Sequence, residues 1–113
     1  MGRVIVKTTP VLPAEIRCGA MRFKIAMDPE ISRAGLRGQI DIEAGEITIE
    51  PDLPLRSMAG TLMHEMVHGV FWANGDYKHF KNETLVTKTS NTLLDMLVNS
   101  PGLLEYLISI RDA

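Results

Sequence analysis

Apolar and polar positions follow two regimes, alternating in the first half of the chain and recurring every three to four residues in the second. Arg3 to Thr8 holds the β-branched run Val4-Ile5-Val6 and ends toward Pro10 and Pro13, which predicts a short strand. From Met21 to Met27, Met21, Phe23, Ile25 and Met27 fall on one side and Arg22 and Lys24 on the other, a second strand. Residues 28 to 38, with Asp28-Pro29-Glu30, Gly35 and Gly38, read as a loop. Gly38 to Glu43 and Glu46 to Glu50 alternate again. Ile40, Ile42, Ile47 and Ile49 turn inward, and Gln39, Asp41, Glu43, Glu46, Thr48 and Glu50 outward. Ala44-Gly45 between them is a two-residue, glycine-containing turn, which makes the pair a hairpin.

The second half predicts helices. Pro54 suits a first helical position, with Asp52 nearby as a cap. From Leu55 to about Ala73 an apolar stripe runs through Leu55, Met58, Leu62, Met66 and Val70, widened by Ala59, Met63 and Val67. Asn74-Gly75 supplies the stop. A second helix from about Asn82 to Val98 buries Leu85, Val86, Leu93, Leu94, Leu97 and Val98. Ser100-Pro101 then reads as N-cap and first residue of a short third helix carrying Leu103, Leu104, Leu107 and Ile108, with Tyr106 in the core. Strands followed by helices imply an α+β fold: a small, mostly antiparallel sheet with helices on one side, in a single domain over residues 1–113.

Composition narrows the class. At 113 residues and 12.5 kDa the chain is one domain's worth of sequence, and 45% apolar with 23% charged residues excludes intrinsic disorder. The single Cys18 cannot bridge internally and fits a reducing compartment. No apolar run approaches the ~20 residues that span a bilayer, and Lys7 and Pro10 interrupt any signal-peptide core. A cytoplasmic protein without a membrane partner is expected. Net charge −2 and a pI near 5.9 give no reason to expect nucleic acid. The charge is unevenly spread: residues 1–37 carry seven Lys and Arg against three acids, and residues 38–55 carry five acids and no base. Nothing in the sequence specifies an oligomeric state.

His64-Glu65-Met66-Val67-His68 carries the chemistry. On a helix, positions i and i+4 share a face one turn apart, so both imidazoles can reach one cation. Glu65 lies about 100° around the helix, too far to be a third ligand in the same plane but able to approach a water beside the ion. Three His and eight Glu would produce an H-E-x-x-H by accident in roughly half a percent of such chains, and this one falls inside a predicted amphipathic helix. The motif therefore predicts one Zn2+ per chain, bound by His64 and His68, with Glu65 as catalytic base. Two residues could complete the ligand set. Glu83 starts the next helix, fifteen residues after His68; His79 lies in the intervening loop, eleven residues on.

The segment Gly60-Thr61-Leu62-Met63-His64-Glu65-Met66-Val67-His68-Gly69-Val70 resembles the zinc-binding helix of small, phage-associated ImmA/IrrE-like metallopeptidases, which are minimal gluzincins. The resemblance extends back to the hairpin before the helix and forward through Asn82-Glu83-Thr84-Leu85-Val86 and Asn99 to Leu107. It implies a zinc metallopeptidase acting on a peptide or protein in bacterial host cytosol, with Glu83 as third ligand. Relatives often carry further acids where Thr84 and Thr87 stand here. Lys78-His79-Phe80 in turn resembles a stretch of SprT-like proteins in which a third His binds zinc, which keeps His79 in view. His79 and Tyr77 are also the candidates for a second donor to the oxyanion. Hydrolases of this architecture bind substrate as an added strand at the sheet edge, and the resemblance makes Glu46 to Glu50, with Ile47, Thr48 and Ile49, that edge. The other reading is a catalytically silent, metal-stabilised phage or prophage interaction protein, since so short a chain leaves little to wall a cleft.

Overall fold

The structure, a computed structural model, describes residues 10–113; the strand expected at Arg3 to Thr8 lies outside the described residues. Strand β1 (Glu15–Cys18) turns at Gly19-Ala20 into β2 (Met21–Met27), followed by the short helix α1 (Glu30–Arg33). Strands β3 (Gly38–Asp41) and β4 (Glu46–Ile49) form the expected hairpin. Four helices follow: α2 (Leu55–Ala73), α3 (Tyr77–Phe80), α4 (Glu83–Asn99) and α5 (Leu103–Arg111). The fold is α+β with a mixed four-stranded sheet of order β1-β2-β4-β3. Strands β1/β2 and β3/β4 pair antiparallel and β2/β4 parallel. Helix α1 stands where a loop was expected. Asp28 Oδ1 accepts the Glu30 N–H at 2.9 Å, and four residues are too few to show a helical period.

The parallel pairing corrects the edge assignment. Lys24↔Glu46 through Met27↔Ile49 cover the outer side of β4, so Ile47, Thr48 and Ile49 lie on an interior strand and are all buried. Thr48, expected outward, is enclosed because its strand has neighbours on both sides; its hydroxyl reaches Glu46 Oε1 at 3.2 Å. Among the described residues the edges are β1 and β3.

Helix α2 lies across the sheet. Met58, Leu62 and Met66 pack on Phe23, Ile47 and Ile49, each fully buried. The helix also comes close to the sheet at Gly69, where a Cβ would sit 3.4 Å from both Ile40 Cδ1 and Phe23 Cε2. Leu55 and Val70, at the ends of the expected stripe, are exposed because the sheet covers only the middle of the helix. Pro54 occupies the N-cap and Asp52 does not cap. The stop is as expected: with Gly75 at φ 70°, its N–H reaches Trp72 O and that of Asp76 reaches Phe71 O, the paired bonds of a Schellman ending.

Helix α4 packs back along α2, burying Val86 and Ser90, while Leu93 and Val98 stay exposed. Ser100 closes α4 instead of opening α5, whose N-cap is Gly102 at φ 79°. The two helices bend by 93°, which carries α5 away from the domain. Tyr106, expected in the core, is therefore 64% exposed, with Leu104, Leu107 and Ile108 beside it. Among the described residues no single helix is long and apolar enough to cross a membrane.

Candidate metal centre

The middle of α2 and the start of α4 build the site. On α2, His64 and His68 present their rings one turn apart, with centroids 4.9 Å from each other. On α4, Glu83 is the first residue, where a carboxylate complements the helix dipole, and Asn82 caps it by accepting the Leu85 N–H at 3.0 Å. The short helix α3 folds α4 back, so that Glu83 Oε2 lies 2.9 Å from His64 Nε2 and Oε1 lies 3.0 Å from His68 Nε2. Donor atoms from all three residues fall within 4.8 Å of one another. Aromatic contacts hold the elbow: Trp72 packs on Tyr77 and Phe80, and Phe80 on His68.

The donor set fits a metal ion. The Phe80 carbonyl, 2.7 Å from His68 Nδ1, can only accept, so Nδ1 carries a hydrogen and Nε2 is left as the ligating nitrogen. Nε2 is therefore the nitrogen turned toward the Glu83 carboxylate, and it is the ring atom open to a metal ion. Two imidazoles and one carboxylate, with a fixed tautomer on one His, is a donor set suited to catalytic zinc.

Glu65 is 6% exposed and opens onto the same cleft as His64 and Glu83. Burial pushes its carboxyl up to about 7, and the negative charge of Glu83 adds to the effect. A group poised there can take up and release a proton near neutral pH.

His79 and Tyr77 stand apart from this cluster. His79 Nδ1 bonds Asp76 Oδ2 at 2.5 Å, its backbone N–H bonds Asp76 Oδ1, and its ring tilts against Phe71. The bond to the His79 side chain holds the Asp76 carboxyl below its ordinary range. Tyr77 is exposed against Trp72, at 4.6 Å between centroids. Both belong to α3, a helical turn where a loop was expected, and neither lines the cleft. The α3 turn that carries His79 also places Phe80 O on His68.

The cleft measures about 650 Å³ and lies between the start of β3, the first half of α2 and α4. Besides His64, Glu65 and Glu83 it is lined by Arg37, Arg56, Ser57, Thr61 and Asn91, none singled out from the sequence. A signal for part of this wall was present: Ser57, Thr61, His64 and His68 recur at spacings of three and four, a polar stripe on α2 leading to the motif. Arg37 and Asn91 reach the wall through tertiary packing and carry no such signal. The chain matches no family model, no curated protein and no solved structure. The chemistry of the site therefore rests on its own geometry.

Proposed function

We propose that the protein is a zinc-dependent metallopeptidase of the minimal gluzincin type, similar to the small phage-associated ImmA/IrrE-like enzymes and acting in bacterial cytosol. One observation carries this reading: Glu83 converges with His64 and His68 on one point while Glu65 opens beside them. A zinc ion held by those three residues would polarise a peptide carbonyl and lower the pKa of water toward 7. Glu65 then takes the proton of the attacking water and hands it to the leaving amine. Phe80 O keeps His68 in the tautomer that binds. Among the described residues β3 is an edge strand beside α2, and this edge would take an extended peptide, the role first given to β4.

The test combines metal content with peptide hydrolysis. Protein purified without chelator should hold about one zinc per chain and cleave a mixed peptide library. Glu65→Gln should keep the zinc and lose ~10²–10⁴-fold in rate. Zinc retained without hydrolysis in the wild type would favour the silent, metal-stabilised interaction protein. No zinc, and none regained on dialysis, would remove both readings.

A further inference from the structure

The protein is formally −2, yet Arg37 and Arg56 both line the cleft, and neither is in an ion pair among the described residues. The Arg–carboxylate pairs that do form there, Arg22–Glu15, Arg33–Glu30 and Arg111–Asp112, lie elsewhere. Only two carboxylates face the cleft. Glu65 is buried at its floor, and Glu83 is held against two imidazoles. On the β3–β4 hairpin Asp41 pairs with Glu46 and Glu43 follows in the turn, away from Gly38, which pairs with Ile49; Glu50, whose N–H bonds the Arg37 carbonyl at 2.8 Å, follows Ile49 but does not line the cleft. The rest of the wall is neutral: Ser57, Thr61 and Asn91 can hydrogen-bond, Leu36 and Leu94 are apolar, and Gly38 and Gly60 leave room.

We propose that this cleft selects peptide segments bearing acidic side chains, with Arg37 and Arg56 as the specificity-determining residues. The inference rests on the peptidase reading for the nature of the substrate. Guanidinium groups match carboxylates in a planar, two-point geometry, and two unpaired ones at the mouth of a cleft recognise Asp or Glu and repel Lys or Arg. The arginines come from different elements, Arg37 from the approach to β3 and Arg56 from the first turn of α2. They therefore address separate positions of a bound segment.

Binding tests this without turnover. Fluorescein-labelled ten-residue peptides of equal length, one acidic, one neutral and one basic, are titrated by anisotropy against full-length Glu65→Gln protein with and without zinc. The acidic peptide should bind at least about ten-fold tighter than the neutral one, the effect of ~1.4 kcal/mol, and the basic peptide weakest. The preference should shrink with added salt. Arg37→Glu with Arg56→Glu should abolish or reverse it, while Lys88→Glu, on an exposed stretch of α4 away from the cleft, should leave it intact. Equal affinities, no binding by any peptide, or a preference that survives the double arginine variant would overturn the proposal. Absence of hydrolysis by the wild type would count against the peptidase reading alone, because the charge preference is read from binding.

Discussion

At Glu65 a carboxyl group sits beneath the cleft, close enough to β3 that a Cβ on Gly38 would lie 3.5 Å from its Cγ. Its pKa of about 7, against 4.5 for an exposed glutamate, links folding to pH in the metal-free protein. Between those values the native state holds a proton that the unfolded chain has lost. The stabilisation from this group is therefore complete below about 4.5 and declines as pH rises through 7. At 1.36 kcal/mol per unit, the loss between pH 5 and 8 is on the order of 2–3 kcal/mol. Glu65→Gln has no such proton to lose. Urea unfolding in chelator should show the glutamine variant gaining on the wild type by that amount from pH 5 to pH 8. A difference that stays constant with pH would contradict the burial of this carboxyl.

Among elements, the contact between β3 and α2 places Glu65 relative to the cleft wall. A Cβ at Gly38 would come within 2.5 Å of Thr61 Cγ2 and 3.3 Å of the Thr48 carbonyl. Gly38→Ala should therefore cost about 1–3 kcal/mol by overpacking. Adding Thr61→Ser, which deletes only the clashing methyl, should restore most of that loss in a double-mutant comparison of melting temperatures; no recovery would place the strain elsewhere. This contact also marks the boundary of what the sequence reveals. The β3–β4 hairpin and the span of α2 follow from local alternation, from period, and from Asn74-Gly75. Strand β1, which no expected element covers, was legible by the same rule, since Gly19-Ala20 repeats the two-residue, glycine-containing turn. The order of strands is a different matter. Whether β4 lies inside or at the edge depends on its pairing with β2, twenty-two residues away in register, and alternation is blind to that. Helices α1 and α3 are single turns, too short to show a period. The candidate ligands His64 and His68 were legible because H-E-x-x-H is local, and spacing left Glu83 and His79 as alternatives between which only the resemblance chose; the cleft wall was not legible, because it is assembled from three elements.

Across the whole molecule, stability draws on few fully buried side chains, with Phe23, Ile47, Ile49 and Val86 at zero exposure, and Cys18 has no partner for a disulfide. Helix α5 adds little, since Leu104, Tyr106, Leu107, Ile108 and Ile110 all face outward. In a domain this size a bound metal is a large term. His64 and His68 come from α2 and Glu83 from α4, connected in sequence through the α3 elbow, so an ion bound by all three reinforces the packing of the principal helix pair and is absent from the unfolded chain. At free zinc 1,000 times its dissociation constant the gain is ~4 kcal/mol, which for a domain of roughly 100 residues corresponds to a rise in Tm on the order of 15–30 °C. Thermal melts should show that rise when chelator is replaced by zinc. Glu83→Ala should remove most of it, while His79→Ala, whose ring is engaged by Asp76, should change it by no more than a few degrees. Loss of the zinc effect in His79→Ala but not in Glu83→Ala would move the third ligand into the elbow. A wild-type melting temperature indifferent to zinc would leave Glu83 as an ordinary carboxylate paired with two imidazoles.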